Sequence, residues 1–310
     1  MYLMKAASTD SDAKEKKQSR NRADQFVDAH VHIWTNDFRK YPLAPGFKVE
    51  EMEPEVFLPE NILPQANPVG VKRVVLVQMS YYGFDNSYML DVIRSLPEVF
   101  RGIAVIDWKG EAPEASMREL AKHGVRGFRI YAASPSTPER DILLEPSPAG
   151  WLEGEGFNKM FRCGAEERLA ICALVNPNEL PELDRQCKRF PDTPVIIDHL
   201  ARVGMKGGIM DVDVRALCAF ARHPQVRVKL SGFYALGQAR PPHLDLAPLI
   251  RQVYEAFGPQ RLMWGSDCPF QIMRETYDDS FSLVRDRLDF LSAEDKNWIL
   301  GQTAEEFFFQ

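Results

Sequence analysis

The chain has 310 residues, 45% hydrophobic and 26% charged, a globular balance that excludes collagen-like, mucin-like and wholly disordered proteins. Its 38 Lys and Arg against 44 Asp and Glu leave a net charge of −6, which argues against nucleic acid or an anionic membrane surface as partner. Cys163, Cys172, Cys187, Cys218 and Cys268 are scattered without a CxxC pair, so neither a disulfide framework nor a thiolate zinc site is expected, and a cytoplasmic location fits best.

Met1 to Ala7 is too short for a secretory h-region, and the mixed charge from Ser8 to Asp24 reads as a solvated tail, so residues 1–24 are expected to lie outside the fold. No run reaches the roughly 20 apolar residues of a membrane span. From Gln25 onward, β-rich runs recur at Phe26 to Val31, Val71 to Gln78, Phe100 to Ile106, Val125 to Ile130, Leu169 to Leu174, Val195 to Ile197, Val226 to Leu230 and Leu262 to Trp264. Their continuous hydrophobicity, as in Val74-Val75-Leu76-Val77, is that of parallel strands buried on both faces. Helix-like segments lie between them: Asn86 to Ser95, Pro113 to His123, Pro181 to Arg189, Val212 to His223, Leu246 to Phe257 and Ser280 to Leu288. Eight such strands in residues 25–310 suit a single α/β domain, a (β/α)8 TIM barrel of about 250 residues with loop insertions. A doubly wound open sheet is the alternative, although no GxGxxG follows the first strand. Two long irregular stretches, Trp34 to Pro68 and Ala132 to Gly156, follow strands one and four and belong over the C-terminal face, where binding loops sit.

Polar residues gather at the strand ends. In Asp28-Ala29-His30-Val31-His32-Ile33-Trp34, two His at spacing two share one face of a strand and can hold a metal or polarise a carbonyl. Asp198-His199 directly follows Val195 to Ile197, a poor place for unpaired charge. Lys229 lies inside the apolar strand Val228 to Leu230 and must find the mouth or a carboxylate. Asp267 ends the eighth strand in Gly265-Ser266-Asp267-Cys268-Pro269, and barrel closure brings it to His30 and His32. Arg126 and Arg129 point to opposite faces, and Arg129 is the candidate for a substrate carboxylate. Gln78, Tyr81 and Tyr82 could meet polar substrate groups. His123, His223 and His243 read as surface residues, Cys172 as core and Cys268 as a buried inert thiol.

Taken together, Asp28 to Trp34, Gly124-Val125-Arg126-Gly127-Phe128-Arg129, Ile197-Asp198-His199-Leu200, Val228-Lys229-Leu230-Ser231-Gly232 and Gly265 to Pro269 resemble the amidohydrolase superfamily, in the amidohydrolase-2 group that includes sugar lactonases and 2-pyrone-4,6-dicarboxylate lactonase. The resemblance spans roughly Phe26 to Phe309. It implies a distorted barrel that opens a sugar-acid or dicarboxylate lactone, with His30, His32 and His199 at the site and Asp267 as the catalytic carboxylate. In that scheme Asp267 takes a proton from water and returns it to the leaving alkoxide. His30, His32, His199 and Lys229 would stabilise the oxyanion, while Arg129, Gln78 and Tyr81 would contact the substrate. Metal-binding members commonly add a His at the end of strand five, where Leu169 to Pro177 has none. The expected cofactor is therefore either none or a single divalent ion such as zinc on His30, His32 and Asp267. A metal-dependent decarboxylase of the same group and a non-catalytic binding barrel are the rival readings. The expected partner is a small molecule, with no nucleic acid and no membrane; the apolar end Glu305 to Phe309 either packs on the barrel or joins a neighbour in a homo-oligomer.

Overall fold

The computed structural model describes residues 25–131, 150–205 and 207–310. The expected tail and most of the expected loop after strand four lie outside the described residues. Eight strands run β1 Phe26–Val31, β2 Val71–Val77, β3 Phe100–Ala104, β4 Val125–Ile130, β5 Ala170–Ala173, β6 Val195–Ile197, β7 Val226–Leu230 and β8 Leu262–Trp264. They lie side by side in sequence order, each parallel to the next. The first and last meet through a bridge between Val31 and Cys268, where the His32 N–H donates to Cys268 O at 2.8 Å and the Asp267 N–H to His30 O at 2.8 Å. This sequential order with closure corrects the doubly wound alternative, whose strand order would reverse at a switch point.

Side-chain alternation divides each strand between two cores. Val27, Ala29, Val75, Val77, Ile103, Cys172, Ile196 and Met263 fill the barrel interior. Val74, Leu76, Phe128, Ile171, Val195, Ile197, Val228 and Leu230 face outward into the layer beneath the helices. Those helices are α1 Pro59–Ala66, α2 Ser87–Ser95, α3 Pro113–Ala121, α4 Glu155–Glu167, α5 Leu180–Arg189, α6 Asp211–Cys218, α7 Ala247–Phe257, α8 Tyr277–Ser282, α9 Ala293–Asn297 and α10 Thr303–Phe308. The expected helices at 212–223 and 280–288 are shorter: α6 tightens into a 3-10 turn over Ala219–Arg222, and α8 widens into a π turn over Leu283–Arg287.

The C-terminal end packs on the barrel through α10. Phe308 and Ala304 join the interior core and plug the barrel below β1 and β8. Arg73 and Arg101 each hold a guanidinium 5.0 Å from the Phe309 ring, and Arg227 does the same for Phe307. The described part of the polar C-terminal mouth thus stands over a packed base.

Candidate active site

The site begins with β1. His30, the fifth residue of the strand, and His32, just past its end, are both buried. Their Nε2 atoms converge to 3.2 Å. Hydrogen-bond partners assign the ring protons. His32 Nδ1 is 2.9 Å from Val77 O, which can only accept, so Nδ1 carries the hydrogen and Nε2 faces the site. His30 Nδ1 is 3.2 Å from Lys229 Nζ, an ammonium that can only donate, so the proton of a neutral His30 sits on Nε2. Beneath them, Asp28 ties β1 to β8: it accepts from the Ser266 N–H at 2.9 Å, the His30 N–H at 3.1 Å and Tyr277 Oη at 2.7 Å. Burial pushes the Asp28 carboxyl up to about 6 despite these bonds.

Asp267 arrives from the end of β8 in a left-handed backbone conformation, φ +65°. Its Oδ1 is 3.5 Å from His30 Nε2 and 3.4 Å from His32 Nε2, and its Oδ2 is 3.9 Å from His199 Nε2. Burial works against the charged form, but the imidazoles of His199, His32 and His30 outweigh it and hold the carboxyl below the usual carboxylate range. His199 itself is pushed down to about 4, chiefly by burial, and is neutral at ordinary pH. Its Nδ1 pairs with Ser231 Oγ at 2.9 Å.

The β6 end has the least ordinary backbone in the described chain. His199, Leu200, Ala201 and Arg202 all have φ between 52° and 56°. Such a left-handed turn costs L-residues about 1–2 kcal/mol each. It presents both His199 and Arg202 to the same cavity. Gly232, φ +68°, accommodates it from β7, because a Cβ there would lie 3.0 Å from His199 Nδ1.

Under this layer lies a buried charge cluster. Asp198 is 3.1 Å from Lys229 Nζ, 3.5 Å from His30 Nδ1 and 3.6 Å from Arg129 Nε. Burial opposes its ionisation, and Lys229, His30 and Arg129 drive it well below the usual range. Burial and the Lys229 charge likewise keep His30 well below the ordinary imidazole value.

These groups open onto a cavity of about 410 Å³ whose walls include His32, Tyr81, Arg129, His199, Arg202, Tyr234, Asp267, Phe270 and Arg274, with Glu51 and Glu53 also lining it. The expected residues His30, His32, His199 and Asp267 therefore meet, and Arg129 and Tyr81 reach the cavity wall. Two expected substrate contacts need correction. Gln78 does not line the cavity; its Nε2 donates to Asp85 O at 2.6 Å and braces the loop after β2. Lys229 is wholly buried below His30, because Asp198 supplies the carboxylate its charge requires. His243, expected on the surface, is instead buried and pairs with Glu275 at 2.7 Å. Arg126 is turned outward, donating to Ala121 O and Val125 O, and Cys268 is buried with its thiol pushed well above the ordinary range. The sequence reading missed Tyr234, Arg202 and Arg274. Arg202 and Tyr234 follow β6 and β7 within five residues, the one signal that could have found them; Arg274 lies ten residues beyond β8 and carries no such signal.

His30, His32 and Asp267 offer three metal-capable atoms at mutual distances of 3.2, 3.4 and 3.5 Å. Ligand bonds of about 2.0–2.1 Å to a tetrahedral ion imply edges of about 3.3–3.4 Å, so the donor set fits such an ion once the His30 proton moves from Nε2 to Nδ1, where Asp198 Oδ1 lies 3.5 Å away. The fourth position would be open, as in catalytic sites.

The site thus combines a parallel barrel with a His-x-His pair, a strand-six His and a strand-eight Asp at its C-terminal mouth. A family model for amidohydrolases of the amidohydrolase-2 type matches residues 27–310, and the chain belongs to that family. It is similar to an L-fucono-1,5-lactonase of Burkholderia ambifaria, 28% identical over 82% of this chain and 83% of that one. It is also similar to a 4-sulfomuconolactone hydrolase of Rhizobium radiobacter, 27% identical over 78% of this chain and 75% of the relative. In fold it resembles a solved amidohydrolase from Burkholderia multivorans with bound zinc, at a TM-score of 0.72 and 22% identity over 92% of this chain and 99% of the other.

Proposed function

We propose that this chain hydrolyses a lactone, with Asp267 as general base. The observation that carries the reading is the Asp267 carboxyl on the cavity wall, with Oδ1 facing two imidazole Nε2 atoms at 3.4 and 3.5 Å. Relatives named as an L-fucono-1,5-lactonase and a 4-sulfomuconolactone hydrolase support the substrate class.

As water adds to the lactone carbonyl, Asp267 accepts its proton and then returns it to the ring oxygen when the acyl–oxygen bond breaks. His199 and Arg129 face the cavity beside Asp267 and meet the negative charge developing on the substrate. Lys229 and Asp198 act one layer down, orienting His30. A single divalent ion, zinc by ligand type, fits His30, His32 and Asp267 and when bound supplies Lewis-acid polarisation of the carbonyl.

The test is a panel of sugar-acid and dicarboxylate lactones, run with and without chelator, beside metal analysis of the purified protein. Asp267→Asn is expected to lower kcat by at least about 100-fold with an unchanged melting temperature. A folded Asn variant of near wild-type activity removes the base assignment, and a wild type that opens no lactone removes the reading.

A further inference from the structure

Asp267 is pinned at its backbone by the bond from its N–H to His30 O, but a carboxylate so held can still rotate about its last side-chain bond. Its two oxygens have unequal surroundings. Oδ1 faces His30 and His32, whereas Oδ2 accepts a hydrogen bond from Tyr234 Oη at 2.7 Å. Tyr234 lies on the 3-10 turn Phe233–Ala235, straight after Gly232, whose φ of +68° turns the chain out of β7. The ring is half-buried and lines the same cavity as Asp267. The Arg274 guanidinium, 5.6 Å from its centroid, braces it from the rim.

We infer that Tyr234 is the positioning residue of the Asp267 carboxylate, locking its rotation so that one oxygen stays on the imidazoles and the other keeps a lone pair for the reacting water. The inference rests on Asp267 being the base. A phenol is suited to the task because it donates one bond and brings no charge. It occupies one of the two lone pairs on Oδ2 and leaves proton uptake to the other. A tie that only held the β7 turn against β8 would serve stability and leave the chemical step alone.

The two roles separate by experiment. Tyr234→Phe removes the hydroxyl and keeps the ring beneath Arg274. With any lactone the wild type opens, kcat is expected to fall about 10- to 100-fold, the usual loss for a partner that orients a reacting group, with KM within about threefold. In an Asp267→Asn background the same substitution is expected to cause no further loss, because Tyr234 acts through Asp267. A kcat within twofold of wild type, or an equal loss in both backgrounds, overturns the inference. A readout independent of turnover is the carboxyl-carbon NMR signal of Asp267, identified by its disappearance in Asp267→Asn. It is expected to move in Tyr234→Phe even if no lactone is opened, the outcome that would sink the proposed function alone. An unmoved signal in a folded variant overturns the positioning role whatever the substrate.

Discussion

A neutral imidazole packed against a carboxylate makes the site sensitive to acid from within. His199 takes up a proton near 6.5 when exposed and only near 4 in the fold, chiefly because burial disfavours its charge. Between those values the unfolded chain binds more protons than the folded one. The contribution to stability is therefore complete above about 6.5 and is lost as pH falls toward 4, by at most about 3 kcal/mol. His30 acts in the same direction. Asp28, raised to about 6, acts in the opposite one, since protonation relieves the cost of its buried charge as pH falls below that value. His199→Asn removes one titrating group and is well suited to the left-handed backbone, which Asn tolerates better than most residues. Melting curves from pH 7 to pH 4 should fall less steeply for the variant than for wild type; parallel curves would refute the account. At this scale the site's ionisable members were legible because charge or imidazole at the end of an apolar strand has few structural explanations. Lys229 was misplaced because sequence shows that a buried ammonium needs a carboxylate but not that Asp198, on the next strand, would supply it from below. Tyr234 was missed because a tyrosine in a turn carries no such signal until its hydroxyl is seen on Asp267.

Elements meet at this site through close backbone approach. The left-handed turn over His199–Arg202 can sit against β7 only where Gly232 leaves room, so strain on one loop is matched by a missing side chain on the other. Gly232→Ala is expected to cost about 1–2 kcal/mol for placing an L-residue at positive φ. Its Cβ would also press on His199 Nδ1 and Cγ, at 3.0 and 3.2 Å, displacing the ring from Ser231. Denaturant unfolding and steady-state kinetics on one preparation check both parts: kcat should fall more than about tenfold, whereas a destabilised variant with wild-type kcat would show that the ring's position does not matter. The strands were legible to within a residue or two because β-branched runs between turn signals have few other uses. The helices were less so. α1 carries an internal Pro64 and sits in a stretch that reads as a Pro-rich loop, and α9 and α10 are only five and six residues long, too short for a helical period to stand out.

The whole molecule separates chemistry from support along the barrel axis. The described cavity-lining groups sit at the C-terminal ends of the strands and on the loops that follow them, while the opposite end is filled by Phe308, which has no exposed surface. Between the two lies the interior layer of Val27, Val77, Ile103, Ile196 and Met263, close-packed enough to transmit a clash but not to rearrange around a modest void. Phe308→Ala opens a cavity at the base and should destabilise the fold by about 3–5 kcal/mol. The backbone bonds that join β1 to β8 at the mouth, His32 N–H to Cys268 O and Asp267 N–H to His30 O, do not involve α10, so the site should survive. Urea unfolding should therefore show a lower midpoint with an unchanged slope, alongside kcat and KM within twofold of wild type at a temperature where the variant stays folded. A Phe308→Ala protein that is folded but catalytically impaired would mean that the plug sets the geometry of the mouth, and that base and site are coupled through the interior layer.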